Sequence, residues 1–180
     1  MRVLGERGVK ALSFRSVAKE LGGSTTLVTH YFNTQAELIG SLADSLFDSW
    51  EGDLENVEVD HRDPRDRLRI LLEWLVPLDE ESLIEERARI GMLAERLFGA
   101  ELNENFEFWE TRARELIRSH LESIVPAEDL ELRVDMVRAF TNGLTLSIVE
   151  HPELWPPDRV RTVIGQAMYD MKLDRRRRRD

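Results

Sequence analysis

Residues 13–31 read Ser13-Phe14-Arg15-Ser16-Val17-Ala18-Lys19-Glu20-Leu21-Gly22-Gly23-Ser24-Thr25-Thr26-Leu27-Val28-Thr29-His30-Tyr31. Ser13 is a good N-cap for the run that follows, and Ser16 competes for that role. Gly22-Gly23 ends the run, because glycine tolerates the left-handed geometry of a helix stop. Ser24 can cap a second short helix, Thr25 to about Tyr31. Two short helices joined by a tight Gly-containing turn describe a helix-turn-helix, whose second helix enters the major groove. The second helix offers Thr25, Thr26, Thr29, His30 and Tyr31, which can donate to phosphate oxygens or read base edges. Leu27 and Val28 are expected to be its buried face.

Outward from this stretch the apolar periodicity stays helical, and no alternating strand is found. Asn33-Thr34 reads as a turn and cap before a helix over 35–50, with Leu38, Ile39, Leu42, Leu46 and Trp50 on one face. Residues 52–63 read as an acidic linker. Pro64 suits a first helical turn, and Pro77 stops that helix near Val76. A helix from Asp79 or Glu80 to Phe98 turns Leu83, Ile90, Leu93, Ala94 and Leu97 inward. The stripe of 101–125 is Leu102, Phe106, Trp109, Ala113, Leu116, Ile117 and Leu121, ended by Pro126. The next helix, to Val149, is apolar over more than one face from Val134 on. The last, over 158–173, turns in Val160, Val163, Ile164, Ala167, Met168 and Met171.

Gly5-Glu6-Arg7-Gly8, residues 12–24, His30-Tyr31-Phe32 and Glu37-Leu38 together closely resemble the N-terminal domain of the TetR family of transcriptional repressors, over about residues 1–50. The resemblance implies an all-α fold, with a helix-turn-helix head of three helices and a ligand-binding and dimerisation body of about six. It implies a homodimer on palindromic double-stranded operator DNA, released when a small molecule enters the body. The wording around Ser24-Thr25 and His30-Tyr31-Phe32 looks like the branch containing the betaine-pathway repressor. On this basis residues 1–45 are expected to bind DNA, 46–173 to bind ligand and dimerise, and 174–180 to form a basic disordered tail.

Carried over residue by residue, the DNA-binding set is Ser13, Arg15, Ser24, Thr25, Thr26, Thr29, His30, Tyr31 and Gln35, with Phe32 packing the head. The family usually has Lys where Gln35 stands, and often Tyr where Thr29 stands. Its first helix would begin about ten residues before Met1, so only the end of that helix, Met1 to Arg7, is expected. The alternative function is a dimeric small-molecule or protein-binding module that has lost DNA binding with that helix.

In the body, Asn142-Gly143-Leu144 resembles the Asp-Gly-Leu often found in the family's penultimate helix. The broad apolar surface of 134–149, paired with 158–171, suits a dimeric four-helix interface. Its expected residues are Val137, Phe140, Thr141, Leu144, Ile148, Val160, Ile164 and Met168. The expected pocket is mostly apolar with a polar anchor: Trp74, Met92, Leu93, Leu97, Phe106, Trp109 and Arg112.

Composition sets further bounds. The chain has 180 residues, no Cys and a net charge of −10. Without Cys there is no disulfide, thiol catalysis or thiolate metal site. The charge is uneven: residues 1–43 carry +2 and 172–180 carry +4, which leaves −16 on the middle. Such a body repels phosphate except where the head meets it. The Arg175 to Arg179 run reads as solvated. The longest uncharged stretch, 21–36, is polar and shorter than the ~20 apolar residues of a membrane helix. With no leader at the N-terminus, the chain is expected in the cytoplasm.

His30, His61, His120 and His151 are scattered, and the one Glu-x-x-His, Glu58 to His61, has no twin. Helical di-metal sites need two such motifs. No phosphate-cradling glycine loop or nucleophile elbow occurs. Neither an enzyme nor a cofactor is expected.

Overall fold

The computed structural model describes residues 13–34, 37–38, 40–41, 54, 57, 59–98 and 103–174, with the backbone alone at 95–98, 103–106 and 108. Among them are seven α-helices and no strand: α1 Phe14–Glu20, α2 Thr25–Tyr31, α3 Pro64–Trp74, α4 Glu80–Phe98, α5 Asn103–Leu121, α6 Leu130–Glu150 and α7 Pro157–Asp170. Short 3-10 turns precede α6 and α7, at Ala127–Asp129 and Pro152–Leu154. The expectations for Met1 to Arg7, Gln35, Ile39, Leu42, Leu46, Trp50, Leu102 and the arginine run lie outside the described residues, as do the side chains of Leu97 and Phe106.

The chain divides into two compact units, residues 1–50 with 80–109, and 51–79 with 110–180. In the first, α1 and α2 pack on each other, and Ala18, Val28 and Leu38 are buried. On α4 the buried residues are Ala88 and Met92, with Glu86 nearly so. Leu83, Ile90 and Leu93 are half-buried, and Ala94, expected inside, is exposed. Glu86 pairs with Arg89 one turn on, at 2.8 Å.

The second unit has a continuous apolar interior. Leu68, Leu71 and Leu72 of α3, Ile117 and Leu121 of α5, Val134 and Val137 of α6, and Val160, Ile164 and Met168 of α7 are essentially without exposed surface. Each such side chain contributes about 1.5–3 kcal/mol relative to leaving it in water. Two threonines share this interior, and both are hydrogen-bonded, as burial requires. Thr141 Oγ1 donates to the Arg138 carbonyl at 3.1 Å. Thr145 Oγ1 donates to the Leu75 carbonyl at 3.4 Å, across from α6 to the end of α3.

Helix ends follow the local chemistry. Asp63 caps α3 through the Arg65 N–H at 2.9 Å, with Pro64 in its first turn. The helix expected over 101–125 stops at Leu121, where Ile124 and Val125 N–H both donate to the Leu121 carbonyl. Pro126 disfavours helical geometry at the residue before it, so the last residues form a turn. After α7, Lys172 takes a left-handed φ of 59°. Leu173 N–H then reaches the Met168 carbonyl at 2.8 Å, and the Leu173 side chain is buried. This is a Schellman stop with its usual apolar contact, here built without glycine.

Candidate nucleic-acid interface

Helix α1 is opened by a reciprocal serine pair. Ser13 Oγ accepts from the Ser16 N–H at 3.1 Å, and Ser16 Oγ accepts from the Ser13 N–H at 2.8 Å. The competition seen in the sequence is resolved as a capping box that uses both residues. At the other end Gly22 adopts φ 65°, which an L side chain rarely takes. Gly22 N–H donates to Lys19 and Gly23 N–H to Ala18, closing the helix and aiming the chain into α2. Ser24 Oγ accepts from the Leu27 N–H at 3.3 Å, capping α2 as expected.

A buried residue on each helix sets the orientation. Ala18 and Val28 are almost fully covered. Successive residues turn by about 100°, so burying Val28 puts Thr26 and His30 on the opposite side, with Thr29 beside them. Thr25, Thr26, Thr29 and His30 are all exposed. Thr29 Oγ1 donates to the Thr26 carbonyl at 3.2 Å, which fixes its rotamer and leaves its lone pairs outward. The Tyr31 ring is 69% exposed and meets the His30 ring edge-on, at 5.4 Å between centroids. Arg15 and Lys19 of α1 are exposed cations, and Phe32 is half-buried. Leu27 departs from expectation: it is 50% exposed, not part of the buried face.

The chain beyond α2 is also capped. Thr34 Oγ1 accepts from the Glu37 N–H at 3.1 Å, and Glu37 Oε2 accepts from the Asn33 N–H at 2.7 Å. The structure thus aligns Ser24, Thr25, Thr26, Thr29, His30 and Tyr31 on one short helix, with Ser13 and Arg15 on the helix packed against it.

The expected pocket residues fall in both units. Met92 and Trp109 of the first are buried and Leu93 is half-buried; Trp74 and Arg112 of the second are half-buried. Arg112 pairs with Glu115 at 3.2 Å on its own helix.

The residues expected at a dimer interface are placed differently. Val137, Thr141, Leu144 and Ile148 of α6, and Val160, Ile164 and Met168 of α7, are closed inside the protomer. A side chain without exposed surface has none to give a partner. Phe140 alone is half-exposed. The surface that α6 does present holds Leu132, Met136 and Leu146, all exposed. Ala139 and Gly143 are exposed with them, and a Cβ added at Gly143 would meet open space. These positions repeat at three and four residues, a second apolar stripe on the face opposite the first. The signal is in the sequence, in the apolar residues at three-and-four spacing on the face opposite the inward stripe.

A ladder of ion pairs ties α5 to α6. Arg138 pairs with Glu110 at 2.8 Å, Arg114 with Asp135, and Arg118 with Glu131 through Nε and Nη2, at 2.7 and 2.9 Å. Those hydrogen bonds from Arg118 hold the Glu131 carboxyl below the usual carboxylate range. Among the described residues no group of three or more His, Asp or Glu is placed to hold a metal, and no helix is long and apolar enough to cross a membrane.

Two family models match the chain. One described as bacterial regulatory proteins, tetR family, covers residues 1–42. One described as BetI-type transcriptional repressor, C-terminal, covers residues 64–171. The chain is 29% identical to the HTH-type transcriptional regulator PksA of Bacillus subtilis, over 96% of this chain and 86% of that protein. It is 24% identical to the HTH-type transcriptional regulator BetI of Rhizobium meliloti, over 80% and 71%. A crystal structure of a transcriptional regulator from Rhodococcus superposes with a TM-score of 0.81 at 27% identity, covering 93% of this chain and 91% of that one. That of a regulator from Saccharomonospora viridis in complex with choline superposes at 0.82 with 15% identity, covering 93% and 90%.

Proposed function

The chain belongs to the TetR family of transcriptional regulators, and we propose that it is a repressor that binds a palindromic operator as a homodimer and is released by a small molecule. The observation that supports this reading most is the exposed polar face of α2, set opposite the buried Val28. In this reading residues 1–45 hold the operator, and residues 46–173 hold the effector and the partner chain. Thr25, Thr26, Thr29 and His30 meet base edges. Ser13, Arg15, Ser24, Tyr31 and Gln35 position the head on phosphate.

The partner chain packs on the outward stripe of α6, through Leu132, Met136, Phe140 and Leu146, with Gly143 allowing close approach of two helices. This replaces the inward residues that periodicity suggested. The effector site draws on Leu93 and Trp109, whose apolar surfaces suit a small organic molecule.

The test is selection of binding sites by the full chain from a pool of random duplexes, at two salt concentrations. A palindrome should emerge, with half-sites about 34–36 Å or a multiple apart, and affinity should fall as salt rises. Thr29→Ala or His30→Ala should change the selected bases, whereas Tyr31→Ala should weaken all duplexes alike. Enrichment of no sequence would overturn operator binding and leave a dimeric binding module.

A further inference from the structure

Leu27 is 50% exposed on α2, on the helix proposed to enter the groove. It lies on the same side as His30 and Tyr31, three and four residues further on. Its Cδ2 leans back over the turn, 3.5 Å from where a Cβ on Gly23 would stand, as side chains on a helix do. Gly23 has no side chain to cover it, so the rest of the leucine faces outward. Its neighbours there are hydrogen-bonding groups: the imidazole of His30, the phenol of Tyr31 and, across the helix, the hydroxyl of Thr26. Leu21 is exposed too, but it stands at the end of α1, off the helix that reads the bases.

In the major groove only one base-pair feature is apolar, the C5 methyl of thymine. A leucine there would face unmatched donors and acceptors at any other base. We infer that Leu27 is a specificity-determining residue that reads a thymine methyl in each half-site of the operator. The inference rests on the proposed operator binding and adds one base to what the polar residues can read.

The experiment starts from the duplex that the full wild-type chain selects. Each thymine is replaced in turn by deoxyuridine, which removes the methyl and leaves the hydrogen-bonding edge unchanged. At one symmetry-related pair of positions, the loss should be roughly fourfold per half-site, the value of one buried methyl. Leu27→Ala should bind the thymine and uracil duplexes equally at that pair and keep the other positions' preferences. Leu27→Met, which keeps apolar reach, should retain the thymine preference. That variant and the wild-type scan carry the test if Leu27→Ala folds poorly. A selected site at which no thymine couples to residue 27 would overturn this inference alone. Selection of no site would overturn the operator reading with it.

Discussion

Helices α2 and α6 spend their apolar residues in opposite ways. In α2 only Val28 is buried, while Leu27 and Tyr31 face outward among threonines and a histidine. In α6, Val134, Val137, Thr141, Leu144, Thr145 and Ile148 form a closed inward stripe, and Leu132, Met136 and Leu146 form a second stripe outside. A short helix with one buried anchor is held by its caps and its neighbour. A long helix with a full inward stripe is held by its own burial. The difference suits the tasks proposed for them: α2 leaves nearly all its surface exposed for the proposed DNA groove, and α6 is scaffold on one side and the proposed partner contact on the other. Stability should be graded accordingly, low where binding requires exposed groups and high where packing is continuous.

Core truncations should expose that gradient most strongly. Ile117→Ala is expected to cost about 2–5 kcal/mol in chemical denaturation, because its site has no exposed surface and stays partly empty. Val28→Ala removes two methyls from a site with one anchor. It should cost less, about 1–3 kcal/mol, and should loosen the α1–α2 pair before the rest unfolds. Amide hydrogen exchange separates the outcomes. Protection lost at Val28 and Ile117 together, in either variant, would mean that the two regions unfold as one.

Capping gives a smaller effect confined to the first region. Ser13→Ala removes the acceptor of the Ser16 N–H and should cost about 1 kcal/mol. DNA affinity should fall at every sequence, with no change in the half-sites selected. If affinity holds while stability falls, α1 is not what steadies α2.

The smallest effect is electrostatic and belongs to the second region. Glu131 has its pKa lowered by Arg118, so it binds a proton less readily folded than unfolded. Its contribution is therefore complete above the unfolded carboxylate value of about 4.3 and is lost as pH falls through the lower folded value. Both groups are solvent-exposed, so the loss is slight and weaker still in high salt. Glu131→Gln should flatten the acid limb of a stability–pH curve and leave neutral pH little changed. An unaltered acid limb would show that the pair adds nothing in solution.

The fold was largely legible because capping residues announce themselves locally. Ser13, Ser24, Thr34 and Gly22 each act where their chemistry placed them. The polar face of α2 was legible for the same reason. Two features were not. Leu27 reads as buried because it is apolar and sits beside Val28, yet a short helix packed on one neighbour needs only one anchor. The inward stripe of α6 reads as partner-facing in sequence because core and interface share the same three-and-four spacing. Only the position of the other helices tells them apart, and α3, α5 and α7 supply the residues that share that interior.

The ion-pair ladder has a consequence for how α6 can change over generations. Glu131, Asp135 and Arg138 are engaged with α5, one flank of the helix is core, and the other presents the second apolar stripe. Almost every position is therefore committed, and drift has few neutral steps available. Replacing Arg138 alone would leave Glu110 with only Arg114, at 3.9 Å, so exchange along this seam is easiest in matched pairs. A library of variants should find α6 rigid in composition, with substitutions tolerated chiefly as matched changes.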